Sequence, residues 1–133
     1  MTDEEFCNKA NGKPWVNRGE DINTGMDCWG LVIASYKEIE GVELPQISGY
    51  NNADCPTEDA ADEALKTRQF SASQAANGAI MVVEDNKGRI THVGRCLCGR
   101  VLHATKRLGT RLDSYNSINT QFKNVRYYKY AVN

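Results

Sequence analysis

The sequence predicts a single α+β domain in which N-terminal helices pack on an antiparallel sheet. The chain has 133 residues, the length of one ordinary domain, and we assign residues 1–133 to it. The first half shows apolar residues at helical spacing, and the second half shows short apolar runs separated by turn residues. Helices followed by strands in this order are typical of the α+β class.

A helix is expected to begin at Asp27, after an irregular stretch over residues 5–26. The Asp27 carboxylate can accept hydrogen bonds from the first backbone N–H groups of a helix, which places Cys28 in the first turn. Apolar residues then recur at spacings of three and four as far as Ile39, which gives one buried stripe. Gly41 is expected to end the helix, because glycine adopts the left-handed C-terminal conformation at little cost.

The later elements follow from the same kind of spacing. A second helix is expected within residues 56–69, and a loop of small polar residues over 71–78. Strands are expected at 79–83, at 90–97 and 101–105 as a hairpin around Cys98-Gly99-Arg100, and at 124–131, with a turn at 85–88.

Charge is divided unevenly along the chain, although the formal net charge is only −1. Residues 1–66 carry 5 Lys/Arg and 14 Asp/Glu, whereas residues 67–133 carry 11 and 3. A basic face for a polyanion is one interpretation, and two halves of one fold whose fields largely cancel is the other. We favour the second and expect no nucleic-acid partner, because no basic run exceeds two residues and no RNA-binding aromatic motif is present.

The N-terminus is acidic and has no apolar signal segment, and no run approaches the ~20 apolar residues that span a bilayer. We therefore expect synthesis in a host cytoplasm and no membrane partner. The five cysteines are an odd number without an export signal, which argues against a disulfide framework. The Cys96-x-Cys98 spacing near two histidines suggests zinc, but the knuckle is short and no second pair exists. We expect no metal and no cofactor.

The position of Cys28 in the first turn of a helix is the sharpest chemical signal. The positive end of the helix dipole favours a thiolate, and a thiolate nucleophile needs a base. The only histidines are His92 and His103. If Cys98-Gly99 form a two-residue turn, His103 lies opposite residue 94 and on the same sheet face as His92, whereas a turn with an odd number of residues would place the two rings on opposite faces. This geometry permits Cys28 as nucleophile, His92 as base and His103 as orienting residue. A buried structural thiol beside two ordinary core histidines is the alternative.

Four segments, residues 12–15, 25–32, 91–94 and 101–104, resemble the NlpC-type (p-sixty) cysteine peptidases. The resemblance implies a reduced papain-like fold and cleavage of peptide bonds in bacterial peptidoglycan stems. It also implies Cys28, His92 and His103 as the catalytic residues. Trp15 stands where relatives often carry a substrate-contacting tyrosine. The expected substrate-binding residues are Trp15, Asp27 and Trp29.

Within that family, the sequence resembles the phage-tail and gene-transfer-agent branch through Pro14-Trp15, the run at residues 27–32 and Gly41-Val-Glu-Leu-Pro45. This resemblance implies a peptidoglycan endopeptidase of the virion tail, with hub or tail-tip proteins as partners. The basic residues Arg95, Arg100, Lys106 and Arg107 are expected to hold substrate carboxylates. Three alternatives stay open: an inactive structural tail-tip protein, an acyltransferase or amidase, and a zinc-binding module.

Overall fold

Residues 1–44 and 70–130 are described in the computed structural model of the chain. Within these ranges a six-stranded antiparallel sheet carries helices, which confirms the predicted α+β class. The helix expected within residues 56–69 lies outside the described residues. None of the helices in the two described ranges has the length and apolar character needed to cross a membrane.

The chain begins with a helix, α1 (Asp3–Ala10), so the prediction of irregular structure from residue 5 is wrong for residues 5–10. A capping box starts it: the Thr2 hydroxyl accepts from the backbone of Glu5, and the Glu5 carboxylate accepts from the backbone of Thr2. Phe6 and two further residues of α1 are buried against the rest of the core. The first turn of α1 is therefore set by a local side-chain exchange and its position by apolar packing.

A two-stranded ribbon, β1 (Glu20–Asp21) and β2 (Gly25–Met26), precedes the second helix, α2 (Cys28–Ser35). A π-helical turn over Tyr36–Glu40 extends α2, and Gly41 ends it in the left-handed conformation at φ 70°. Both predicted ends of this helix are confirmed. The prediction of a single buried stripe is wrong, because all eight residues of α2 are buried.

The main sheet contains strands from the second half of the chain. They are β3 (Phe70–Ser73), β4 (Ile80–Glu84), β5 (Ile90–Leu97), β6 (Arg100–Thr105), β7 (Gly109–Asp113) and β8 (Val125–Tyr130). Their spatial order is β3-β8-β4-β5-β6-β7, with every neighbouring pair antiparallel. Four of these strands match predicted ones to within a residue at either end.

The hairpin between β5 and β6 has the two-residue turn on which the shared face of the two histidines is conditional. Leu97 pairs with Arg100 and Cys96 with Val101, so Cys98 and Gly99 alone form the turn. Both turn residues have positive φ angles, 54° and 72°. That combination defines the primed turn whose twist suits two-residue hairpins.

Two strands and one helix correct the sequence interpretation. Residues 70–73, expected mostly as loop, form β3 and pair with β8. No element was predicted at β7 or at the third described helix, α3 (Tyr115–Gln121). β7 and β3 are the outermost strands of the described sheet, where exposure on one side weakens the apolar alternation that reveals a strand. The Ser114 hydroxyl caps α3 by accepting from the backbone of Ser117.

Both faces of the sheet are covered. On one face, Ile80 and Val82 of β4 join α2 residues in an apolar cluster. On the other face, Met81 and Val83 join Ile118 of α3 in a second cluster. This alternation is the period-two pattern of a strand buried on both sides. A side chain on β5 or β6 therefore faces either α2 or α3.

Candidate active site

The two histidines lie in direct contact on adjacent strands. Nε2 of His92 on β5 and Nδ1 of His103 on β6 are 2.8 Å apart, and both side chains are buried. Their rings meet edge to face, with centroids 5.1 Å apart. The predicted sharing of one sheet face is confirmed, and it follows from the two-residue turn at Cys98-Gly99.

Gly94 provides the room for this contact. A Cβ atom at residue 94 would lie 2.9 Å from Cβ of His103 and 3.0 Å from the carbonyl oxygen of Leu102. Real Cβ atoms essentially never approach other atoms within 3.0 Å. Glycine at this position lets the His103 side chain lie against the β5 backbone and reach the ring of His92.

A β-bulge lies immediately before His92. Val83 pairs with His92, but the next residue, Glu84, pairs with Ile90, so Thr91 is the extra residue on β5. A bulge increases local twist and redirects the following side chain, and bulges are common beside active sites. The bulge sets the direction from which the His92 ring leaves its strand.

Asp113 completes a hydrogen-bonded chain that the sequence analysis did not anticipate. Its Oδ2 lies 2.7 Å from Nε2 of His103. His103 pairs directly with Arg111 on β7, so Asp113 is its diagonal neighbour on the same face. The missed signal was the Arg111-x-Asp113 spacing, which places both residues on one face once β7 is known to be a strand.

Asp113 is itself held by two other donors. Arg111 donates to Oδ1 from its Nη2 at 2.8 Å and from its Nε at 3.2 Å. Gln121, at the end of α3, donates to Oδ2 at 3.2 Å. Burial raises the pKa of Asp113, but the hydrogen bonds from His103, Arg111 and Gln121 outweigh burial and lower that pKa to about 2. Asp113 is therefore a carboxylate at neutral pH.

This carboxylate fixes where the protons of both rings lie. An ionised carboxylate only accepts hydrogen bonds, so Nε2 of His103 carries a proton. Nδ1 of a neutral His103 then accepts from Nε2–H of His92. Nδ1 of His92 is left without a proton. This assignment comes from the hydrogen-bond pattern, and it makes Nδ1 of His92 the free basic nitrogen of the chain.

Both rings are neutral in the folded protein. Burial, and to a smaller extent the neighbouring His103, lower the pKa of His92 to about 3. Burial also lowers the pKa of His103, against the opposing pull of Asp113. Phe122, just after α3, stacks on His92 with centroids 5.2 Å apart and an interplanar angle of 24°. The α3 segment thus shields the histidine pair from water.

Cys28 occupies the predicted place in the first turn of α2. The Asp27 carboxylate caps the helix by accepting from the backbone of Gly30 at 2.8 Å. The second carboxylate oxygen of Asp27 accepts from the backbone N–H of Arg18 at 2.6 Å, and the backbone N–H of Asp27 donates to the carbonyl oxygen of Gly19 at 3.1 Å. The first turn of α2 is thereby fixed to the preceding loop.

Close packing between Gly30 and Gly19 also holds the first turn of α2 against the preceding loop. A Cβ atom on Gly30 would lie 1.7 Å from the carbonyl oxygen of Gly19, so only glycine fits there. Cys28 is fully buried and belongs to the apolar cluster that also contains Ile90 and Val93 of β5. These two residues flank His92 along the strand, on the side of the sheet that α2 covers. His92 itself contacts Phe122 and His103, on the side that α3 covers.

The structure therefore joins His92, His103 and Asp113 in one hydrogen-bonded chain. It places Cys28 at the head of the helix that packs on β5, and within the described residues no hydrogen bond joins Cys28 to this chain.

A sequence model of the NlpC/P60 family matches residues 12–131. The chain belongs to the NlpC/P60 family. The matched range contains all four of these residues and begins after α1. No curated protein matches the chain by sequence.

Solved NlpC/P60 structures share the fold. The NlpC/p60 domain of the peptidoglycan hydrolase SagA superposes with a TM-score of 0.63 at 19% identity, over 96% of this chain and 95% of that one. A protein described as similar to a lipoprotein of the NLP/P60 family, from Staphylococcus aureus, gives the same TM-score and identity. That match covers 99% of this chain and 41% of the other.

The expected substrate-binding residues of this NlpC/P60 chain have different exposures. Trp15 is partly exposed, its buried Nε1 has no hydrogen-bond partner, and the Lys106 ammonium lies 5.3 Å from its ring centroid. Asp27 is fully buried, and Trp29 is 2% exposed within the apolar cluster that α2 forms with Ile80 and Val82. In this conformation, Trp15 alone of the three presents surface to a substrate.

One of the basic residues expected to hold substrate has another role. Arg95 is buried, with its guanidinium 3.6 Å from the centroid of the Tyr36 ring, and it is ion-paired with Glu40. It also donates to the Ser35 hydroxyl at 2.9 Å. The expectation that Arg95 holds substrate is therefore corrected: Arg95 lies on β5 and binds residues of α2 and of the π-helical turn. The other three basic residues, Arg100, Lys106 and Arg107, are exposed.

Among residues 1–44 and 70–130, no three His, Cys, Asp or Glu side chains are grouped as metal ligands. The four described cysteines, Cys7, Cys28, Cys96 and Cys98, are free thiols, and only Cys98 is exposed. Burial raises the pKa of Cys96 to about 11.

Proposed function

We propose that this protein is a cysteine peptidase that hydrolyses stem-peptide amide bonds in bacterial peptidoglycan. Cys28 is the nucleophile, His92 the general base and His103 the residue that orients His92. The hydrogen-bonded chain from His92 through His103 to Asp113 is the observation that carries the proposal. It leaves one ring nitrogen free to accept a proton, as a thiol nucleophile requires.

The reaction proceeds in two halves. In the reactive conformation the Cys28 thiol meets Nδ1 of His92 and gives it a proton, and the sulfur bonds to the carbonyl carbon of the scissile amide. The positive end of α2 stabilises the sulfur anion, and the Cys28 backbone N–H donates to the developing oxyanion. His92 returns the proton to the leaving amine as the carbon–nitrogen bond breaks. Water then cleaves the thioester, passing a proton through His92 to restore the thiol.

Substrate recognition uses exposed groups near Trp15 and at both ends of β6. Peptidoglycan stems carry free carboxylates, which exposed cations attract. Arg100, Lys106 and Arg107 supply such cations, and Lys106 lies against the ring of Trp15. We propose that Trp15 and Lys106 together contact the stem through the exposed part of the indole ring and the ammonium beside it.

The resemblance of Pro14-Trp15 and residues 41–45 to tail-tip peptidases supports a finer proposal. The enzyme acts in a phage or phage-like tail, held by hub or tail-tip proteins, and opens the wall for the tube. Its test is mass spectrometry of purified tail particles. Recovery of the chain at a fixed ratio to tail proteins is expected, and its absence from the particles would contradict the tail location.

Digestion of purified sacculi tests the proposed activity. Wild-type protein should release peptides with new amine and carboxylate termini, detected by mass spectrometry. Cys28→Ser should lower the rate by at least about 10³-fold, because oxygen at this position lacks the activation that the site provides for sulfur. Cys98→Ser is the matched control, since it removes an exposed thiol from the turn and should retain full activity. Undiminished hydrolysis by Cys28→Ser would overturn the mechanism.

The complete burial of Cys28 and the cover of Phe122 over His92 favour one alternative. In that alternative the chain is a structural tail-tip protein that keeps the fold without activity. Intact sacculi after prolonged incubation with reduced wild-type protein would support it. New cross-links among the products, in place of new amine termini, would instead indicate acyl transfer.

A further inference from the structure

The two carboxylate oxygens of Asp113 accept hydrogen bonds from different donors. Oδ1 faces the Arg111 guanidinium, with contacts of 2.8 and 3.2 Å. Oδ2 faces Nε2 of His103 at 2.7 Å and Nε2 of Gln121 at 3.2 Å. A carboxylate can accept from all of these groups at once, because it has two oxygens and about four lone-pair sites.

The orientation of the histidine protons depends on this acceptor. While Asp113 accepts at Oδ2, His103 is protonated at Nε2, and its Nδ1 accepts from His92. If the group facing His103 became a donor, each proton of the chain would move to the opposite ring nitrogen. His92 would then carry its proton on Nδ1 and would no longer be a base at that atom.

We infer that Asp113, oriented by Arg111, is the positioning residue that sets the direction of the hydrogen-bonded chain and so makes Nδ1 of His92 the base. This inference rests on the proposed function for its catalytic consequence. Its structural content, the tautomer of each histidine, does not depend on activity. Asp113 acts through His103 and touches neither Cys28 nor the substrate in the proposed mechanism.

Replacement of Asp113 by asparagine gives a sharp test, because Arg111 decides which way the new amide turns. Arg111 has only donors, so the amide oxygen of Asn at 113 faces it and the amide NH₂ faces His103, while the Gln121 amide turns its own oxygen toward the new NH₂. The chain then reverses. Asp113→Asn should lower kcat by about 10³-fold, as expected when a base is held in the wrong tautomer, with little change in KM.

A second substitution should restore part of this loss. In the double variant Asp113→Asn, Arg111→Met the amide is free to turn its oxygen to His103, which allows the original tautomer. We expect kcat to recover at least about tenfold over Asp113→Asn alone. Arg111→Met alone should lower kcat by no more than about fivefold. The arginine is 40% exposed, and without it the Asp113 carboxylate still faces His103. Arg126→Met, which breaks an exposed Arg–Glu pair on β8 and β4, is the control and should keep full activity.

Nitrogen-15 NMR of the imidazole rings reads the tautomers directly, with or without turnover. The wild-type spectrum should show a proton on Nε2 of both histidines, and Asp113→Asn should move both protons to Nδ1. Unchanged tautomers in Asp113→Asn, or no recovery in the double variant of an active enzyme, would overturn the inference. A wild-type protein that fails to hydrolyse sacculi would overturn only the proposed function, since the NMR result still decides the inference.

Discussion

At the scale of single residues, the site depends on what is absent as much as on what is present. Gly94 has no side chain, and this lets His103 approach His92. The spacing of the two histidines predicted a shared face on the condition of a two-residue turn, and the register at Cys98-Gly99 meets that condition. Asp113 could not be found in this way, because residues 109–113 have too weak an apolar alternation to reveal their strand.

Gly94→Ala tests whether the missing side chain at residue 94 is what lets His103 reach His92. The added methyl group overlaps the His103 side chain, and such overpacking costs about 1–3 kcal/mol of unfolding free energy. We expect hydrolysis of sacculi to fall sharply because the histidine pair separates. Gly88→Ala is the matched control: its Cβ meets nothing within 4 Å, although its φ of 76° imposes about 1–2 kcal/mol of backbone strain. Equal activity in the two variants would contradict the role of Gly94.

The buried neutral histidines predict loss of stability in acid. His92 has a folded pKa of about 3 and an ordinary value of 6.5, so the unfolded chain binds a proton that the folded protein does not. The stability from this group is complete above pH 6.5 and is lost as the pH falls toward 3, at about 1.4 kcal/mol per pH unit. His103 contributes in the same direction.

Urea unfolding at pH 6 and pH 5 measures this effect. Wild-type protein should lose about 1 kcal/mol more between these two pH values than His92→Gln, which removes the titrating ring but keeps a donor toward His103. Parallel pH profiles for the two proteins would show that His92 titrates normally in the folded state.

At the scale of secondary structure, α2 shows how local chemistry places the nucleophile. Asp27 and Gly41 predicted both ends of the helical segment, because capping and left-handed termination are local effects. The π-helical turn between residues 36 and 40 was not predicted, and the side chain that contacts both of its ends, Arg95, lies far along the sequence. That arginine binds the Ser35 hydroxyl and the Glu40 carboxylate from β5.

The Asp27 cap predicts a stability difference between two helices. Asp27→Ala removes the cap of α2 and leaves the Arg18 N–H without its acceptor, so we expect a loss of about 2–3 kcal/mol in unfolding free energy. Ser114→Ala removes only the exposed cap of α3 and should cost about 1 kcal/mol. Urea denaturation compares them, and equal losses would contradict a dual role for Asp27.

At the scale of the whole molecule, the sheet brings residues together that lie far apart in sequence. β5, β6 and β7 are consecutive antiparallel neighbours, so His92, His103 and Asp113 follow from one meander. This part of the topology was partly predictable from the hairpin. The insertion of β8 between β3 and β4 was not, because it depends on contacts between the end of the chain and residues far earlier.

The central claim is that Cys28 is a nucleophile activated by His92 toward a stem peptide. Reaction with a stem-peptide vinyl sulfone, followed by peptide mapping, tests it most directly. We predict an adduct on Cys28 that forms at least about 100-fold more slowly in His92→Gln, with the exposed Cys98 thiol reporting the background rate. Adducts confined to Cys98, or equal labelling of Cys28 with and without His92, would contradict the account.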